Sequence, residues 1–166
     1  ASDVYKGQNQ GGGLVRLNDA STRPNLQLYF SPVSYTHAPV GTRPLMSPDP
    51  FPGFLLGFNP CKPTSTGHLQ IRSADPTIAP EIHANYLDTQ HDRDLMLAGM
   101  RLMRKITDTP TFKSVIDAEM SPGPDVSSDD DLSAYIHQKC WTVFNQNSTG
   151  RKGHNPATSV VDERLR

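Results

Sequence analysis

The stretch PTSTGHLQIRSADPTIAPEIHANYLDTQHDRDLMLAGMRLMRKI, Pro63 to Ile106, decides how this chain folds, because it passes once from strand to helix. It opens out of a link rich in turn residues, NPCKPTSTG, into HLQIRS (His68 to Ser73), a short β-prone run. DPTIAPEIHANYL (Asp75 to Leu87) carries too much proline for a helix and is expected to run extended along the surface. From about Asp92 to Asp108 the period changes to that of a helix. Leu95, Gly99, Leu102 and Ile106 form one stripe, widened by Met96 and Met103.

Upstream of that change the signals are all β. Residues 1–13 read as a flexible lead ending in Gly11-Gly12-Gly13, and Leu14 to Leu17 as a short strand. NLQLYFS (residues 25–31) alternates cleanly, with Leu26, Leu28 and Phe30 on one face and Gln27, Tyr29 and Ser31 on the other. Residues 38–53 carry five prolines, which lack the amide proton a ladder needs, and form a long irregular loop. FLLGF (Phe54 to Phe58) is a further strand. Downstream the signals are mostly helical. Pro110 opens a short helix holding Phe112, Val115 and Ile116, and SPGPDVSS breaks the chain. A third helix runs from about Asp129 to Lys139, capped by Ser128 with three aspartates at its positive end. WTVFN (Trp141 to Asn145) reads as a last strand. Strands first and helices later, without βαβ alternation, predict one α+β domain over residues 1–166: a largely antiparallel sheet with helices packed on one face.

Composition narrows the function. Lys plus Arg is 16 and Asp plus Glu 17, a net charge of -1, which gives no electrostatic footprint for nucleic acid or an anionic membrane. No apolar run reaches the roughly 18 residues of a membrane span. The N-terminus has neither the basic region nor the apolar core of a signal peptide. Cys61 and Cys140 lack CxxC spacing and fit a reduced pair in a cytoplasmic protein, with a disulfide left open.

Motif chemistry is sparse. The six histidines do not cluster at metal-ligand spacing, so no metal site is expected. DVSSDDDLSAYI, from Asp125, fails as a calcium loop, having Asp130 where glycine is needed and Ile136 where a bidentate glutamate is needed. Gly11 to Gly13 lack the pattern of a phosphate loop. Asn147-Ser148-Thr149 is a glycosylation acceptor by pattern, relevant only in a secreted protein. The last loop, NQNSTGRKGHNP (Asn145 to Pro156), is dense in turn residues but offers no evident nucleophile or general base.

Pro63, Ser65 and Gly67, then Ser73, Asp75 and Pro76, Pro80, Asn85-Tyr86-Leu87 and Asp92 follow a pattern that resembles the glucose–methanol–choline (GMC) family of FAD-dependent alcohol oxidoreductases. The similarity extends to PNLQLYFSP (Pro24 to Pro32) and SVVDERLR (Ser159 to Arg166), and is closest to the choline-dehydrogenase-like members. The resemblance implies the C-terminal, substrate-binding part of such an enzyme, facing a flavin ring. Those enzymes oxidise a CH–OH group: a base takes the hydroxyl proton and the carbon gives its hydride to FAD. The base is a histidine in a segment reading His-x-x-Gly-Thr-Cys-Arg-Met-Gly-x-x-Pro. Thr149, Arg151, Gly153 and Pro156 match that segment, but Asn145 stands at the base position, and Ser148, Gly150 and Lys152 replace the Gly, Cys and Met.

From the resemblance, Gln27, Tyr29 and Phe144 are the expected substrate-facing residues, with a small-molecule alcohol as substrate. The family's FAD-binding Rossmann unit has no counterpart in the sequence, and the family's final segment, with a second catalytic His or Asn, is not represented before Arg166. The chain therefore reads as a truncated substrate-binding domain whose FAD-binding domain belongs to the same parent or to a separate chain. By itself it is expected to bind no FAD tightly and not to turn over. The alternatives are a non-catalytic interaction module built on the same scaffold, and one half of a split enzyme.

Overall fold

The computed structural model describes residues 10–17, 22–35, 48–143, 145, 147 and 149–166. Phe144, most of the proline-rich loop and residues 1–9 of the expected lead lie outside the described residues.

Three strands, β1 (Gly11–Val15), β2 (Leu26–Ser31) and β3 (Leu55–Pro60), form an antiparallel sheet in the order β1-β2-β3. Registers of Leu26↔Pro60, Leu28↔Phe58 and Phe30↔Leu56 put the apolar residues of β2 and β3 on one face, as the alternation predicts. That face meets α1 (Gln90–Thr107), where Gly99 receives the ring of Phe58. A glycine inside a helix costs about 1 kcal/mol relative to alanine. Here any Cβ would run into that ring, so the glycine sets how close helix and sheet approach. Leu26 is fully buried, and Phe54 bridges Phe30 and Phe112 at centroid separations of 5.6 and 5.9 Å. Phe112 belongs to α2 (Pro110–Lys113), with Pro110 in its first turn. The third helix, α3 (Asp129–Lys139), buries Leu132 and Ile136 and packs against α1, tied to it by the Arg101–Asp129 ion pair. Ser128 caps α3, accepting from the Asp131 amide at 3.1 Å.

Several local expectations change. The short helix ends at Lys113, leaving Val115 and Ile116 outside it. Gly11 to Gly13 are strand residues, because their backbones complete the ladder to Phe30, Tyr29 and Leu28. The segment Asp75–Leu87 is not a plain extended run. It turns back at residues 75–78 and forms β5 (Glu81–His83), antiparallel to β4 (His68–Gln70). Pro80 precedes that strand, where a missing N–H costs nothing. The helix starts two residues before Asp92, since Thr89 is its cap. Residues 141–143 are not strand, and Trp141 and Val143 are exposed: β-prone side chains do not make a strand without a ladder to join.

Candidate functional site

With α1 on its apolar face, the sheet presents its other face open, in that none of the described helices covers it. Gln27 and Tyr29 of β2 lie there, paired across to Asn59 and Gly57 on β3 and to Leu14 and Gly12 on β1. Tyr29 has glycine on both sides; at Gly12 a Cβ would run into the Leu28 carbonyl, and at Gly57 it would touch the Tyr29 side chain at 3.8 Å. Burial, and then the neighbouring Cys61, push the Tyr29 phenol above its ordinary pKa. It therefore stays protonated at neutral pH, able to give and accept one hydrogen bond. Asn59 donates its Nδ2 to the Pro60 carbonyl at 3.1 Å, while its Oδ1 is buried without a partner. The donated bond fixes which way the amide points, so the unpaired atom is the acceptor.

The β3–β4 link is held to α1 by a buried carboxylate of that helix. Asp92, 1% exposed, accepts from the amides of Thr64 and Ser65, both at 2.8 Å, and from their hydroxyls at 3.0 and 2.5 Å. Ser65 Oγ in turn accepts from the Thr89 amide at 3.2 Å, closing the network on the helix cap. Burial alone would raise the Asp92 pKa, but the donors of Ser65 and Thr64 outweigh it and hold the carboxyl at about 2. With its oxygens so engaged and no access to solvent, Asp92 cannot exchange protons with a substrate. It is a clasp.

Asn145 is exposed in the stretch after α3. Beyond it residues 149–166 close on themselves. Lys152 bridges Val161, the Gly153 amide donates to the Val161 carbonyl at 3.0 Å, and His154 meets Glu163 at 2.8 Å. The structure thus brings Gln27 and Tyr29 together on the open face. Among the described residues no hydrogen bond or ring contact joins Asn145 to them. A carboxamide has no acid–base couple near neutrality, so Asn145 can orient a hydroxyl but cannot take its proton.

The residues present do not fit the diphosphate of a dinucleotide cofactor. A helix N-terminus that binds phosphate needs free amides behind a glycine-rich turn. The start of α1 is capped by Thr89 with Asp92 in its first turn, and α3 opens on Asp129, Asp130 and Asp131, which repel an anion.

The family model for GMC oxidoreductases, C-terminal part, matches residues 63–166, more than half of the chain. The chain belongs to the GMC oxidoreductase family. It is 35% identical over 153 residues to an alcohol dehydrogenase [acceptor] of Pseudomonas putida, covering 92% of this chain and 26% of the relative. It is 31% identical over 156 residues to an oxygen-dependent choline dehydrogenase of Staphylococcus xylosus, covering 92% and 26%. Its fold matches the crystal structure of pyridoxine 4-oxidase from Mesorbium loti with a TM-score of 0.78 at 22% identity, over 96% of this chain and 30% of that one. The α+β fold class and the GMC resemblance are both borne out. The chain thus spans about a quarter of the length of these curated GMC relatives, whose family is FAD-dependent. No helix among the described residues is long and apolar enough to cross a membrane.

Sequence reasoning missed Asn59 and the clasp. NPCKPTSTG reads as a turn-rich link, and only the register shows that Asn59 still belongs to the strand opposite Gln27. Asp92 was legible as a helix-start aspartate, but its partners lie 27 and 28 residues upstream, beyond any local pattern.

Proposed function

We propose that this chain supplies the substrate-facing sheet of a GMC enzyme that oxidises a small-molecule alcohol, and that these 166 residues by themselves do not turn over. The observation that carries this reading is the open face of the sheet, where Gln27 and Tyr29 stand opposite Asn59 and Gly57 while the other face is closed by α1. FAD, held by the flavin-binding portion of the same parent or of a separate chain, supplies the hydride acceptor. The contribution of this chain is to bind and orient. The Tyr29 phenol and the Gln27 amide offer hydrogen bonds to a hydroxyl. Asn145, at the place of the family's histidine base, holds the alcohol without deprotonating it. Loss of a general base lowers a rate by about 10²–10⁴.

The test is an absorbance scan of the purified chain after incubation with FAD and desalting, followed by an alcohol panel with a dye acceptor. The expected result is no band near about 450 nm, where flavins absorb, and no dye reduction. A stoichiometric band that bleaches with an alcohol would overturn the claim of inactivity. A cytoplasmic, reduced setting fits the two free thiols, Cys61 and Cys140. A second reading, a non-catalytic module on the same scaffold, draws on the four departures at Asn145, Ser148, Gly150 and Lys152 within one loop.

A further inference from the structure

On the open face Tyr29 stands between Gly12 and Gly57, and one step along the strands Gln27 lies between Leu14 and Asn59. All six residues are uncharged. Burial, and then Cys61, raise the Tyr29 pKa and keep its phenol from becoming an anion at neutral pH. Neither the Gln27 amide nor the Tyr29 hydroxyl makes a hydrogen bond among the described residues. Leu14, on the edge strand beside them, is 62% exposed. Neutral polar groups with unused hydrogen-bonding capacity thus adjoin an uncovered leucine.

That combination selects by charge and by polarity. A hydroxyl can trade its water for the Gln27 amide and the Tyr29 phenol, because each still has a donor and an acceptor to offer. A charged group brought onto the same face loses hydration and meets no opposite charge at these six positions. Burying an unpaired ion is far costlier than burying a hydroxyl. One tyrosine ring compensates little, since recognition of a quaternary ammonium uses a cage of several aromatic rings. On one flank the Asn59 amide is turned to its own strand through the Pro60 carbonyl, which leaves Leu14 as the flank that the body of a ligand can cover. The strand of Leu14 lies about 4.8 Å from that of Gln27. Hydrocarbon over Leu14 takes the apolar surface of both out of water, whereas a further hydroxyl there would lose hydration against a side chain that cannot bond to it.

We infer that this face takes an uncharged alcohol with a hydrocarbon body, its hydroxyl between Gln27 and Tyr29 and its carbons over Leu14, so that Leu14 is a specificity-determining residue. The inference rests on the function proposed above and narrows its substrate class. A cationic alcohol such as choline, an anionic one such as glycolate and a polyol such as glycerol are all poorer ligands.

The test is NMR of the 166-residue chain, following the Leu14 methyls and the Tyr29 ring during titration with n-butanol, choline, glycolate and glycerol. n-Butanol should shift both signals, with a half-saturating concentration at least about tenfold below those of the other three. Read at the Tyr29 ring, Leu14→Asp should raise the n-butanol value by about tenfold and lower that of choline. Leu69→Asp, at another exposed leucine, on β4, should alter neither. Leu14→Ala adds no charge and serves where the aspartate disturbs β1: it should weaken n-butanol without favouring choline. Choline, glycolate or glycerol binding at Tyr29 as tightly as n-butanol overturns the inference and leaves the proposed function standing. A Leu14→Ala chain that binds n-butanol as well as the parent does also overturns it. So does n-butanol that shifts Leu69 as strongly as Leu14, which would mean indifferent adsorption to apolar surface. If none of the four ligands shifts Leu14, Gln27 or Tyr29, the inference falls together with the proposed function.

Discussion

The two faces of the β1–β3 sheet obey different rules. On the helix-covered face each residue is accounted for: Leu26 is fully buried, Phe58 fills the gap left by Gly99, and the nearby clasp pairs every donor it gathers. On the open face an acceptor goes unpaired at Asn59, a tyrosine is flanked by two glycines, and Leu14 is exposed. Covered, satisfied groups hold a fold together, whereas unsatisfied groups at an open face await something from outside. Substitutions on the first side should cost stability. Those on the second should cost little or add to it.

The largest effect belongs to the clasp. Asp92→Asn keeps the shape but turns one acceptor into a donor facing the Ser65 and Thr64 N–H and O–H groups, and should destabilise by about 3 kcal/mol in urea unfolding. The parent chain should carry a matching acid dependence. Because the folded pKa of about 2 lies below the ordinary 3.8, the contribution is full above the unfolded value and is lost as pH falls through about 2. The shift corresponds to about 2 kcal/mol. Unfolding of Asp92→Asn followed from neutral pH down to about pH 2 should lack that part of the slope. An unchanged slope would mean that the clasp is not charged in the folded state.

A smaller loss is expected at the helix–sheet contact. Gly99→Ala gains helix propensity of about 1 kcal/mol, but its methyl drives into the Phe58 ring, and overpacking costs about 1–3 kcal/mol. The net expectation is a modest destabilisation, which Gly99→Ala/Phe58→Leu should relieve. If the double variant is no better than the single one, the glycine serves something other than the approach of helix and sheet.

The same contrast explains what could be read from the chain beforehand. Elements whose cause is local were legible: the alternation of β2, the stripe of α1, Pro110 opening α2 and Ser128 capping α3. Elements made by a distant partner were not. Gly11 to Gly13 become strand because β2 offers a ladder, while Trp141 to Val143 have the side chains of a strand and are not in one. The return from β5 to α1 passes through Asn85 and Leu87 at positive φ, which their residue types do not announce. At the candidate site, Gln27 and Tyr29 were visible from period alone, but Asn59 needed the register.

Asn59 gives the smallest effect, and the one of opposite sign. Its buried Oδ1 carries a desolvation penalty of about 1–3 kcal/mol that no hydrogen bond among the described residues offsets. Asn59→Val removes the orphan and suits a strand, at the loss of the weak Nδ2 bond to Pro60. The chain should therefore gain about 1 kcal/mol, measured as a higher urea midpoint with an unchanged m-value. A loss instead would mean that the Asn59 amide supports the sheet, which would place it with the covered face and its rules. A gain would leave the amide with no part in the stability of the sheet.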